Sequence, residues 1–265
     1  MDFTEAQIHR YSRHILLQDI GVEGQKKICN GKVLIVGAGG LGSPIAYYLA
    51  AAGVGTIGII DPDVVELSNL QRQIIHSTED LGKSKVLSAK EKIQKLNPEV
   101  NVIIYQTPFV VDNAFEIIQA YDFIVDGTDN FSAKYLINDI CVMAGKPFSH
   151  GGILRFHGQT LTHVPGSACY RCLYPEPPGA DAVPSCSQAG VLGAVTGILG
   201  SIQAAEVLKY LTGAGGLLTN KLLTFDAREM NFNTLTLKHD PHCPVCGTNP
   251  CTTSLQPIEE ISCKI

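Results

Sequence analysis

The chain has 265 residues, 45% of them hydrophobic and 17% charged, enough to bury a sizeable core and too apolar for a disordered segment. A net charge of −5 without any Lys/Arg block argues against a nucleic-acid partner. The opening MDFTEAQIHRYSRHILL lacks a secretory h-region, and nine cysteines is an odd count, so a reducing, cytoplasmic setting with metal-binding or reactive thiols is expected rather than a disulfide framework.

Residues 4–18 carry apolar positions at helical spacing, with Thr4 as N-cap and Gln7 three residues on. Strand KVLIV (32–36), a glycine turn, a helix and a second strand leading to Asp61 follow. A helix is expected from about Glu79 to Leu96, capped by Ser77 or Thr78 and stopped by Asn97-Pro98. NVIIYQ (101–106) alternates as a strand, DNAFEIIQAY (112–121) reads as a helix, and DFIVDG (122–127) as a buried parallel strand. Another helix leads on from Ala133. This alternation predicts an α/β, Rossmann-like and mainly parallel sheet with helices on both faces.

After residue 147 the rhythm changes. ILRFHGQTLTHV (153–164) and KLLTFDAREMNFNTLTLKH (221–239) read as longer strands that continue the sheet antiparallel. Between them, Pro-rich YPEPPGADAVPS (174–185) reads as a mobile crossing loop. Residues 189–205 read as a buried helix, short for a bilayer span and running into Gln203, Glu206 and Lys209, so no membrane partner is expected.

Five constellations carry chemistry. KVLIVGAGGLG (32–42) with Asp61 is a nucleotide-binding opening. Gly37 permits the tight turn, Gly39 lets backbone N–H groups approach a phosphate, and Gly42 lets the helix pack closely. Asp61 is placed to accept from ribose hydroxyls. The loop alone fits NAD or ATP. LSNLQRQ (67–73) and GKSK (82–85) add Asn69, Arg72 and Lys85, groups that would neutralise a triphosphate attacked at its α-phosphorus. A solvated helix face is the plain alternative for Lys83 and Lys85.

VDGTDN (125–130) puts Asp129 just past a strand's carboxyl end, where it suits Mg²⁺ or caps the following helix; Asp126 reads as structural. Cys169-x-x-Cys172 and Cys243-x-x-Cys246 can close a tetrahedral structural zinc site, with redox cysteines as the alternative and His242 as a bystander. Cys186, in PSCSQAG ahead of the apolar helix, could be a low-pKa thiol that forms a thioester or persulfide, or an incidental cysteine.

RYSRHILL, GAGGLGSP, DPDVVELSNLQRQ, the GKSK lysine, DGTDN, CYRC, CSQAGVLG and CPVC follow one another from about Tyr11 to Cys246. In that order they resemble the ThiF/MoeB/HesA family, bacterial relatives of ubiquitin-activating enzymes. The resemblance implies ATP-dependent adenylation of the C-terminal Gly-Gly carboxylate of a ubiquitin-like sulfur carrier protein of the ThiS or MoaD kind. It implies that Gly39 and Gly40 contact the nucleotide and that Asp61 holds the ribose. Asn69, Arg72 and Lys85 would then bind phosphates and Asp129 Mg²⁺, while Cys169, Cys172, Cys243 and Cys246 bind Zn²⁺. Cys186 matches a loop cysteine that in some members takes part in sulfur transfer.

Arg13 would act in the partner subunit's active site, implying a homodimer with composite sites. The sulfur donor would be a cysteine desulfurase or rhodanese, with no fused rhodanese expected after the second knuckle. One adenylation domain over 1–265 is expected: a nucleotide-binding half to about 147, a carrier-binding half over about 148–250 with the zinc site, and a tail. The rival readings are a same-fold enzyme adenylating a peptide C-terminus or a modified tRNA nucleoside, an NAD-dependent oxidoreductase, and a non-catalytic scaffold.

Overall fold

Along β1 (Lys32–Val36), Val33 and Ile35 enter one apolar core while Leu34 and Val36 enter another. A strand split in this way must be covered on both faces, as parallel strands are. The computed structural model describes residues 2–179, 189–252 and 254–255. It joins β1, β2 (Thr56–Ile60), β3 (Asn101–Tyr105), β4 (Phe123–Asp126), β5 (Phe148–Leu154), β6 (His157–His163), β7 (Lys221–Asp226) and β8 (Asn231–Thr236) in one sheet. The order is β3-β2-β1-β4-β5-β6-β7-β8, parallel from β3 to β5 and antiparallel from β5 onward. The expected α/β class with an antiparallel continuation is the one adopted.

Helices α3 (Gly42–Ala52), α4 (Lys85–Leu96) and α8 (Gly193–Thr212) supply Ile45, Val86 and Leu199 to the first core. Helices α5 (Val111–Gln119) and α6 (Phe131–Met143) supply Ile118 and Tyr135 to the second. From β1 the chain builds outward to β2 and β3, then crosses back to β4 on the other side of β1. The strand order therefore reverses between β1 and β4, and a crevice opens beyond their carboxyl ends.

Several boundaries differ from expectation. The capping box of Thr4 and Gln7 starts α1 (Glu5–Ile15), but a second helix, α2 (Gly21–Asn30), follows that the sequence did not announce. Its buried face is Gly24, Gln25 and Ile28, which carries one large apolar side chain and so leaves little periodic signal. The helix expected from Glu79 begins at Lys85, because residues 78–80 form a single 3₁₀ turn and Gly82 at φ +78° redirects the chain. The stretch 153–164 is a hairpin corner turning at Arg155-Phe156, with Arg155 at φ 58°. Likewise 221–239 is the β7–β8 hairpin.

The apolar helix is α8. Its buried Glu206 accepts the Thr162 hydroxyl and the Leu218 N–H, both at 2.7 Å. No helix of the described residues is long and apolar enough to cross a membrane.

Candidate active site and metal centre

The glycine turn lies at the β1/β4 crevice. Gly37 has φ +98°, and a side chain there would strike the Gly127 carbonyl after β4, so the β1 and β4 turns touch. A Cβ on Gly42 would overlap the Gly37 carbonyl oxygen, which explains the glycine that opens α3. Gly40 faces the Arg72 stem and Thr196 of α8, and Gly39 faces Gln73. Asp61, nearly buried beyond β2, accepts the Ala38 N–H at 2.8 Å and the Asp63 N–H at 2.9 Å, one at each oxygen. Burial pushes its pKa up, while the nearby Lys85 ammonium and these two N–H groups pull it down.

Lys85 is the first residue of α4 and is 6% exposed, with its ammonium 2.8 Å from Asp63. The solvated-face reading therefore fails for Lys85, although Lys83 does pair outward with Glu91. Arg72 is half-buried and donates to the Ser68 carbonyl at 3.1 Å. Asn69 spends its side-chain oxygen on the Glu66 N–H at 3.2 Å, capping the short turn that carries Arg72. Asp129 is exposed and accepts no hydrogen bond among the described residues. It does not cap α6; Asn130 does, accepting the Ala133 N–H at 2.8 Å.

Below the turn after β4 lies a polar cluster that sequence reasoning missed apart from Asp126. One Asp126 oxygen accepts the Thr128 N–H and hydroxyl, at 3.0 and 2.7 Å. The other accepts from His150 Nδ1 at 3.0 Å, and the Lys134 ammonium reaches both. Lys134 also donates to the carbonyls of Thr128 and Gly151, tying β4 to β5. Burial alone would raise the Asp126 pKa, but Lys134 and His150 hold it well below the usual carboxylate range. Burial pushes the His150 pKa down, so His150 and Asp126 form a hydrogen bond rather than an ion pair. No signal in the spacing distinguishes this Lys or His from surface residues.

The cysteines converge. Cys169 Sγ lies 4.0 Å from Cys172 and 3.6 Å from Cys243, Cys172 lies 3.4 Å from Cys246, and the four sulfurs lie within 4.8 Å of one another. Among the described residues this is the one group of metal-ligand spacing. A tetrahedral ion with bonds of about 2.3 Å needs sulfurs about 3.8 Å apart, so the donor set can hold a metal. Tyr170, inside the first knuckle in α7 (Tyr170–Leu173), packs against His150 with ring centroids 4.4 Å apart and the rings tilted by 37°. The knuckle therefore roofs the Asp126 cluster. His242 is exposed and bonds Asp240 through its backbone, which leaves it outside the sulfur set. Cys186 lies outside the described residues.

Arg13 is exposed on α1, at the opposite end of the sheet from the crevice. Its helix is anchored by Tyr11, which packs on Gly53 and bonds Asn97, and by Arg10, which donates to the Leu96 carbonyl. Gly53 caps the far end of α3, eleven residues and about 16 Å from the glycine turn. The structure thus brings together Gly39, Gly40, Asp61, Asn69, Arg72 and Lys85, sets Asp129 in the turn three residues beyond the end of β4, and leaves Arg13 remote.

Comparison with known proteins accords with this arrangement. The ThiF family profile matches residues 11–245. The chain belongs to the ThiF family. It is 45% identical over 265 residues to a Thermus thermophilus sulfur carrier protein adenylyltransferase, covering 98% of each chain. It is 47% identical to the probable adenylyltransferase/sulfurtransferase MoeZ of Mycobacterium tuberculosis, matching 91% of this chain but only 63% of that one. Among solved structures, E. coli MccB with ATP superimposes at a TM-score of 0.78 and 28% identity, covering 90% of this chain and 73% of that one.

Proposed function

We propose that this ThiF-family chain adenylates the C-terminal Gly-Gly carboxylate of a ubiquitin-like sulfur carrier protein. The observation that carries this reading is the cationic group built against the glycine turn: the Arg72 stem packed on Gly40, and a buried Lys85 ammonium held by Asp63 beside Asp61. An NAD site needs no such cations. ATP would lie with its phosphates on the turn, where Gly39 and Gly40 face it, and with its ribose at Asp61, whose oxygens each keep acceptor capacity. Asn69 orders the segment that presents Arg72.

The carrier carboxylate attacks the α-phosphorus, pyrophosphate leaves, and an acyl-adenylate forms. Arg72 and Lys85 spread the charge that develops on the phosphate oxygens, and holding both reactants in one crevice lowers the entropic part of the barrier. Asp129, exposed and unengaged at the crevice mouth, would hold Mg²⁺, which when bound neutralises phosphate charge. We assign zinc to the four cysteines as a staple, since four thiolates saturate a tetrahedral ion. Unpaired thiols, including buried Cys141, support a reducing cytoplasmic setting.

Arg13 would serve the partner subunit in a homodimer, a reading supported by its exposure and its distance from its own crevice. A separate sulfur donor, a cysteine desulfurase or rhodanese, would then displace AMP. Cys186 is a candidate acceptor in that step.

The test is ATP–pyrophosphate exchange, with ThiS-like and MoaD-like carriers offered in turn. Exchange with either supports the reading and names the carrier class. No exchange with either, in protein that binds ATP, would redirect it to a peptide or nucleoside acceptor. In the same assay Arg13→Ala and Asp129→Ala should each be inactive and should recover exchange when mixed. Failure to recover despite subunit exchange would return Arg13 to its own chain.

A further inference from the structure

The peptide unit between Ala38 and Gly39 is held from below. His76 Nε2 lies 3.0 Å from the Ala38 carbonyl oxygen, and His76 Nδ1 lies 2.8 Å from the Ser88 hydroxyl. A carbonyl can only accept, so Nε2 carries the hydrogen. In the neutral ring, which burial favours, Nδ1 is a lone pair, and it receives the hydroxyl hydrogen of Ser88, for which the Asp80 carboxylate is the competing acceptor. Both side chains are buried, His76 at 6% and Ser88 at 0% exposure. Neither can touch a nucleotide.

What they can do is orient a backbone dipole. In a planar trans peptide the C=O and the following N–H point in opposite directions, and the described chain contains no cis bond. Drawing the Ala38 carbonyl inward to His76 therefore turns the Gly39 N–H outward, toward the crevice. The preceding peptide is fixed independently, because Asp61 accepts the Ala38 N–H. Ala38 sits between Gly37 and Gly39, where the backbone is freest to rotate, so this orientation needs an external hold. Among the described residues neither the Gly39 nor the Gly40 N–H donates to a protein acceptor.

We propose that His76 is a positioning residue for the triphosphate: it sets the Ala38–Gly39 peptide so that the Gly39 N–H faces a phosphate oxygen, and Ser88 fixes the tautomer that does so. This rests on the reading of the crevice as an ATP site. The role differs from that of a satisfied core histidine in what it predicts. Loss of the Ala38 bond weakens binding of the phosphates and leaves binding of the nucleoside unchanged.

Two amide substitutions separate the two ring nitrogens. His76→Gln carries an N–H to the Nε2 position, whereas His76→Asn reaches only the Nδ1 position. Binding of ATP and of adenosine is measured by equilibrium dialysis without carrier, on variants whose melting curves show them folded. His76→Asn should bind ATP about tenfold more weakly, the worth of one well-placed hydrogen bond, with adenosine affinity unchanged. His76→Gln should stay within about threefold of the parent for ATP.

Ser88→Ala should weaken ATP binding in the otherwise unaltered protein and have no effect in the His76→Gln background, which has no tautomer to fix. This pair decides the question if His76→Asn does not fold. Equal losses for ATP and adenosine, or a Ser88→Ala effect of the same size in both backgrounds, would overturn the proposal while leaving the ATP site in place. A parent protein that binds neither ligand would overturn the ATP reading itself, and this inference with it.

Discussion

Asp61 and Asp126 stand at the carboxyl ends of the two strands that flank β1, and both are almost wholly buried. Their chemistry is opposite. Asp61 accepts one backbone N–H at each oxygen, which leaves about half of its roughly four lone-pair sites open. Asp126 is met by Thr128 twice, by Lys134 at both oxygens and by His150, and has no acceptor capacity left. Burial raises the Asp61 pKa, whereas burial of Asp126 is outweighed by Lys134 and His150, which lower it. Position at a strand end therefore does not make a carboxylate a ligand group. Unfilled acceptor capacity does, and the saturated one serves as a brace.

The strongest way to break this comparison is to remove the brace's counter-ion. Lys134 is 7% exposed, and Lys134→Met would strand the Asp126 charge in the core. We expect a loss of about 3–5 kcal/mol in urea unfolding, as for other buried pairs that lose one partner. A loss below about 1 kcal/mol would mean that Asp126 is not the buried, paired charge described here. A smaller effect of a different kind is expected at Asp61. Asp61→Asn puts an amide N–H₂ against one of two backbone donors, costing about 1–3 kcal/mol locally, and ATP affinity should fall with it. If Asp61→Asn left ATP binding intact and cost as much stability as Lys134→Met, the two carboxylates would be equivalent and the contrast would fail.

The same contrast explains what was legible in the sequence. Glycine spacing, Asp61 and the paired C-x-x-C motifs are local patterns readable from short chain segments; the structure sets Asp61 against the glycine turn and, separately, gathers the four cysteines. The parallel-then-antiparallel sheet followed from strand periodicity. What was hidden depends on contacts distant in sequence. Lys134, eight residues from Asp126, reads as an ordinary helix lysine until β5 delivers His150 and the Gly151 carbonyl. His76 is 38 residues from the carbonyl it holds. Helix α2 was missed because its buried face carries a single large apolar side chain, Ile28, beside Gly24 and Gln25, and the start of α4 because Gly82 adopts a positive φ that the Ser77 cap signal masked. Asp129 as a helix cap was a fair local reading that Asn130, one residue on, pre-empts.

The finest test of the brace is its pH dependence. Burial holds the His150 pKa below its ordinary value, so the folded protein keeps it neutral while the unfolded chain takes up a proton near pH 6.5. More protons bound by the unfolded state means that this stability is complete above about pH 6.5 and is lost as pH falls toward the lower folded value. His76 and His163, also lowered chiefly by burial, act in the same direction. Asp126 has the same sign but a lower window, since its contribution begins to fade only as pH drops through the ordinary carboxylate range. Asp61, whose pKa is raised, opposes them weakly. Tm should therefore fall between pH 7.5 and 5.5, by about 2–4 °C for each kcal/mol lost. Acid also releases metal from thiolates, so the informative quantity is the difference between the parent and His150→Gln, which share the cysteine site. His150→Gln removes one titrating group and should flatten the slope. A steeper fall in His150→Gln than in the parent would show that the folded protein holds His150 charged, and the brace would then be an ion pair like the one at Lys85. An identical slope would show that folding leaves the His150 pKa where it is in the unfolded chain.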